Sequence, residues 1–192
     1  MKKRILGLAA VLFLAGSTQL FAWGIGLQGG AGIGASSFGG FAVTFGLDQV
    51  PLIFAVDLGF GSGFFGLDAT ADYWFMNPTI VDWGWGDLKW HWGVGAAVGF
   101  SIVHWDEIHV HSDPYRVEVE SKTGGSFDIG PRVFIGMNFD FCKNQWDWLE
   151  RFEAFIQLAY QPMLRLGNIY DFYPFWHGIV NFPLVTGLRL WF

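Results

Sequence analysis

The chain has 192 residues, of which 19% are aromatic and only 15% charged, and its formal net charge is -6. Soluble domains average about 25% charged residues, so the composition argues against an ordinary soluble fold. The acidity argues against nucleic-acid binding, which relies on clustered Lys and Arg, and a single cysteine, Cys142, excludes an internal disulfide.

Residues 1–22 read as a secretory leader. Lys2-Lys3-Arg4 form a cationic start, residues 5–15 are apolar, and Gly16-Ser17-Thr18-Gln19 leads to Leu20-Phe21-Ala22, with Ala22 before the cut. The apolar stretch is shorter than the ~20 residues a spanning helix needs; a retained N-terminal anchor is the alternative. No cysteine lies near the cut, which argues against lipid attachment. The leader holds three of the eleven basic residues and none of the acidic ones, so its removal takes the net charge from -6 to -9. What remains, 23–192, has the length of one domain.

Past the leader no apolar run suits a membrane helix: residues 23–47 carry no charge, but they are rich in glycine, which disfavours helix. Alternation with period two recurs instead, as in a strand with one apolar and one small or polar face. The spacing predicts strands over 23–34 and 38–47. A third, 51–61, sets Leu52, Phe54, Val56, Leu58 and Phe60 against Asp57 and glycines. After a Ser62-Gly63 turn, a fourth sets Phe65, Leu67, Ala69, Ala71, Tyr73 and Phe75 against Asp68 and Asp72. Later strands are predicted over 89–103, 127–141, 151–163 and from 181 onward. Their inward parity carries Lys89, Asp128, Arg132, Asp140, Glu153 and Arg189. Residues 76–88, 104–126 and 164–180 read as long connections, with Arg116 to Glu120 able to extend the strands. Trp83, Trp85, Trp90, Trp92, Trp146 and Trp148 suit an interfacial aromatic girdle; a Trp-rich soluble core is the alternative. Lipid requires every backbone amide to be paired internally, which leaves a closed barrel of eight strands.

The span 23–192 resembles a small eight-stranded outer-membrane β-barrel protein of the OmpA/OmpX/OmpW kind. The resemblance rests on the leader-like start, the alternating strands, Gly130-Pro131-Arg132-Val133 and the final Gly187 to Phe192. These cues point to an architecture, an all-β up-and-down antiparallel barrel, and to no single subfamily. The resemblance implies a Gram-negative-type outer-membrane location. It also implies that the barrel-assembly machinery reads the last strand through Gly187, Leu188, Leu190 and Phe192.

An eight-stranded barrel is just wide enough to be filled by side chains. Isolated charges inside would be costly, so the inward Asp57, Asp68, Asp72, Asp128, Asp140 and Glu153 are expected to pair with Lys89, Arg132 and Arg189 as a structural plug. A narrow ion or solute path is the alternative. A lipid A-modifying enzyme of this size would need a serine beside an oriented histidine. Ser101, His104, Asp106, Glu107, His109, His111, Ser112 and Asp113 are the candidates, and His109 with His111 also has the look of a metal pair. A solvated strand extension explains them equally well. The expectation is a non-enzymatic barrel without cofactor or metal, structural or surface-interacting. Outer-membrane lipid would surround it, and an extracellular partner would meet loops 104–126 and 164–180. Passive transfer of a small or hydrophobic solute, porin-like or OmpW-like, is the runner-up.

Overall fold

A computed structural model describes residues 23–33, 40–61, 63–110, 117–141, 151–167 and 179–192. Among them the strands are β1 Trp23–Ile33, β2 Gly40–Leu47, β3 Leu52–Gly61, β4 Phe64–Met76, β5 Thr79–Asp82, β6 Gly86–Val110, β7 Val117–Phe141, β8 Arg151–Tyr160, β9 Leu164–Gly167 and β10 Phe182–Trp191. Residues 1–22, expected as a leader, Cys142, Trp146, Trp148, residues 111–116 and residues 168–178 lie outside the described residues.

Eight of these strands close a ring. Each pairs antiparallel with the next, β1-β2-β3-β4-β6-β7-β8-β10, and β10 returns to β1 from Gly24 opposite Trp191 to Ile33 opposite Phe182. Trp23 and Phe192 finish the seam by exchanging both backbone hydrogen bonds, at 3.1 and 2.8 Å. The order is the up-and-down meander that period-two alternation implies. Gly63, at φ 72°, supplies the left-handed residue of the β3–β4 turn. We call the end bearing Trp23 and Phe192 the foot and the opposite end the mouth.

Parts of all three stretches expected as connections are strand. Thr79–Asp82 pairs with the start of β6, so the β4–β6 hairpin runs on past Met76, with a register shift between Trp74 and Met76. β5 is exposed on both faces and therefore has no apolar alternation to reveal it. At the mouth, β6 and β7 stay paired as far as Val110 opposite Val117. Both are 25 residues long, where ~9–11 span a bilayer, so the excess is a polar ribbon beyond the hydrocarbon. Leu164–Gly167 is also strand, continuing the line of β8 against β7.

Burial is inverted relative to a soluble fold. Leu27 is 67% exposed, Phe41 78% and Ile135 53%, while Arg189 and Glu153 are each 1% exposed and His91 is fully enclosed. No helix among the described residues is long and apolar enough to cross a membrane. The apolar belt is instead the outer face of the strands, closed so that no edge remains. Toward the foot its aromatics pack on one another: Phe75 and Trp92 are tilted at 4.8 Å, Trp85 and Phe139 tilted at 5.2 Å, and Phe141 and Phe152 T-shaped at 4.2 Å.

Candidate functional site

The site is the barrel interior, and β6 organises it by omission. Its inward residues include Gly93, Gly95 and Gly99. The register places Gly95 between Asp72 of β4 and Arg132 of β7, and Gly99 between Asp68 and Asp128. A Cβ at Gly95 would collide with the Asp72 carboxylate, and one at Gly99 with that of Asp68. Without side chains on β6, groups two strands apart can reach each other inside a narrow tube.

Arg132 uses that space. Its Nε lies 3.0 Å from Asp72 Oδ1 and its Nη1 donates to Gln161 Oε1 at 2.6 Å. Gln157 Nε2 donates to Asp72 Oδ2 at 2.9 Å from the far side. Nearer the foot, Arg189 Nη1 donates to Glu153 Oε1 at 3.0 Å, and Trp191 Nε1 donates to the other Glu153 oxygen at 2.6 Å. The Arg189 guanidinium also lies 4.6 Å from the Phe155 ring centre. Lys89 Nζ donates to Asp140 Oδ2 at 2.8 Å, and Arg151 reaches the same oxygen at 3.5 Å. Between these pairs, His91 stacks on Trp74 with ring centres 3.9 Å apart, and its nitrogens face Asn138 and Gln157 at 3.2 and 3.3 Å.

Toward the mouth the balance turns acidic. Asp57 stands directly opposite Asp68, and Asp68 follows Gly99 and Asp128 in one inward row. Gln28 Nε2 donates to Asp57 at 3.4 Å. Arg165 grips Asp128 with two hydrogen bonds of 2.7 and 2.8 Å, a bidentate pair. Asp57, Asp68, Arg132 and Gln161 line a mouth cavity of about 90 Å³. A second cavity of about 270 Å³ opens at the foot beside Trp74, Arg151 and Trp191. The two share no lining residue, and the buried Arg189, Glu153, His91 and Asn138 line neither. A layer of packed, hydrogen-bonded side chains separates them.

All nine charged residues singled out by parity face the interior, in four ion pairs plus the opposed Asp57 and Asp68. Asp128 draws its partner from Arg165, which sequence reasoning placed in a connection. The signal was present: Glu153, Gln157, Gln161 and Arg165 keep one parity straight past Pro162. Arg151, at the rim and bonded to Asp48 at 2.6 Å, was missed because it begins its strand, where alternation has no preceding member. On the last strand Leu188 is 50% exposed, whereas Gly187 lies against the Gln28 side chain and the Leu27 backbone.

The candidate catalytic residues whose side chains are described, Ser101, His104 and Asp106, do not converge. Ser101 is buried inside and shares a 2.7 Å hydrogen bond with Ser126, whereas His104 is on the outer face, 2.6 Å from Thr123 Oγ1. Adjacent parities separate them. Asp106 accepts from Ser121 on the exposed ribbon. The side chains of Glu107 and His109, and all of His111, Ser112 and Asp113, lie outside the described residues. Among those described, no three His, Cys, Asp or Glu side chains come together as a metal site.

No protein-family model and no curated protein matches the chain. Solved structures similar to it include the N-terminal β-barrel domain of Pseudomonas aeruginosa OprF, at 14% identity over 89% of this chain and 97% of that one, TM-score 0.41. A major outer membrane protein from Thermus thermophilus matches at 11% identity over 90% and 99%, TM-score 0.47. Neisserial surface protein A matches at 13% identity over 90% and 97%, TM-score 0.42. None of the three reaches a TM-score of 0.5, and nothing about activity passes from them to this chain.

Proposed function

We propose that this protein is an integral outer-membrane β-barrel, exported through removal of residues 1–22, whose interior is a salt-bridged plug and whose role is structural or surface-interacting. One observation supports it above all: Arg189, Glu153 and His91 are enclosed while Phe41 and Leu27 stand in the open. That arrangement is costly in water and favourable in hydrocarbon. The barrel-assembly machinery takes the final strand through Gly187, Leu188, Leu190 and Phe192. Partners outside the cell meet the ribbon 104–126 and the segment 164–180. No catalysis, cofactor or nucleic acid enters this reading.

Refolded full-length protein in detergent is expected to shift its apparent gel mass on boiling, and to stay silent in planar bilayers. A mass insensitive to heat argues against the barrel in a membrane, and sustained conductance argues against the plug. The cavity at the mouth favours a second reading, passive transfer of a small or hydrophobic solute, for which liposome uptake is the assay.

A further inference from the structure

Among the described residues the barrel wall has a weakened stretch inside its apolar belt. The β7–β8 ladder runs from Phe141 opposite Phe152 to Val133 opposite Tyr160, lapses at Gln161-Pro162-Met163, and resumes in the same register from Ile129 opposite Leu164. That register sets Pro131 against Pro162. Gln161 N–H donates to the Asn181 carbonyl beside β10 at 2.9 Å, so the next residue, Pro162, turns its backbone toward β7. Each proline therefore occupies a position that should donate to the other, and neither has an N–H. On the far edge of β8 the ladder with β10 stops at Leu184 opposite Leu158, which leaves Pro183 against Ala159, again without a donor. Three prolines on three adjacent strands thus loosen residues 159–163. A Cβ at Gly130 would collide with the Pro162 carbonyl.

Both faces of this stretch are hollow. Inside, Arg132 and Gln161 bond to each other across it and line the mouth cavity. Outside lies a groove of about 590 Å³ walled by Trp90, Trp92, Leu158, Ala159, Tyr160 and Phe182, within the ~300–1,000 Å³ of small-molecule sites. Its walls belong to the apolar belt, so its occupant comes from hydrocarbon.

We propose that residues 159–163 form a lateral port for a single-chain amphiphile. The tail lies in the outer groove. The polar end passes the Pro131–Pro162 break and takes over the hydrogen bond that Arg132 now donates to Gln161. This goes beyond a plugged barrel, because the port opens on the mouth side while the packed layer stays shut.

The test uses the full chain in phosphatidylcholine nanodiscs and two lysophosphatidylcholine probes, one with a diazirine in the tail and one in the headgroup. Tail adducts are expected on Trp90, Trp92, Leu158 and Tyr160, and headgroup adducts on Arg132 and Gln161. Amides at 132–134 and 158–164 should exchange at least about tenfold faster than those of the unbroken β2–β3 ladder. Pro131→Val with Pro162→Val should slow that exchange and abolish headgroup adducts, and Leu158→Trp, which fills the groove, should abolish tail adducts. Adducts spread evenly around the belt, tail adducts without headgroup adducts, or headgroup adducts that survive the double valine variant would each overturn the proposal. If the valine variant fails to fold, Leu158→Trp decides.

Discussion

Replacing Arg132 with alanine tests whether the interior charges hold the barrel together. Asp72 is 4% exposed, and Arg132 is its ion partner. Removing that partner leaves a buried carboxylate with only the 2.9 Å hydrogen bond from Gln157, and Gln161 loses its 2.6 Å donor. Breaking a buried pair from one side costs about 3–5 kcal/mol. The mouth cavity beside Arg132, about 90 Å³, has room for water to follow the lost side chain. We therefore expect the low end, ~3 kcal/mol, roughly a hundredfold in the folding equilibrium. Guanidinium unfolding in micelles, followed by tryptophan fluorescence, should show the midpoint falling at constant slope. Arg132→Lys keeps the charge but loses the fork, and should cost about 1–2 kcal/mol. Asp72→Asn with Arg132→Met removes both charges and should return to within ~1 kcal/mol of the parent. An Arg132→Ala midpoint equal to the parent's, or a double variant as weak as the single, would refute the reasoning.

Glu153→Ala should be at least as damaging, about 3–5 kcal/mol, because it strands Arg189 and the Trp191 indole together; the same unfolding assay reads it. On the outer face, Val56→Lys should cost about 2–4 kcal/mol of membrane stability, whereas Asp57→Asn, one residue along and inward, should fold normally; folding yield into liposomes separates them. Asp68→Asn relieves two carboxylates placed directly opposite each other and should stabilise by about 0.2–1 kcal/mol, read as a higher unfolding midpoint. Gly130→Ala drives a methyl into the Pro162 carbonyl and should cost about 1–3 kcal/mol, while Gly29→Ala, whose nearest atom lies at 3.7 Å, should leave the midpoint unchanged.

The faces of the strands were legible in the sequence because lipid and lumen impose opposite chemistries at every second residue. Leu52 to Phe60 and Asp57 sort themselves on that rule alone. The ends of the strands were not, because the rule lapses where the chain leaves the membrane. Thr79–Asp82 is exposed throughout, and none of the described side chains at 104–106 and 119–123 is buried, so nothing in their pattern distinguishes a paired ribbon from a loop. Arg165 was lost for a related reason: Pro162 looks like the end of a strand, yet the register continues past it unchanged.

Which charge meets which is a different kind of information. Alternation shows that Asp72 and Arg132 both face inward, but not that they lie at one height. That depends on how far each strand is slipped along its neighbour, a property of the closed ring. Once Gly95 is known to face both Asp72 and Arg132, their pairing follows, because a glycine between two large inward groups lets them share a space that a side chain would occupy. Gly99 opens the same kind of space between two carboxylates, Asp68 and Asp128, and there the partner, Arg165, comes from β9. The inward glycines of β6 therefore contain pairing information that becomes readable only with the stagger. The same stagger, and nothing local to either segment, sets Pro131 against Pro162. A one-residue shift of β7 would pair each proline with a residue able to donate, flip that strand's charges into lipid, and separate the ion pairs of Asp128, Arg132 and Asp140. Register is thus the quantity on which the plug and the weakened wall both depend.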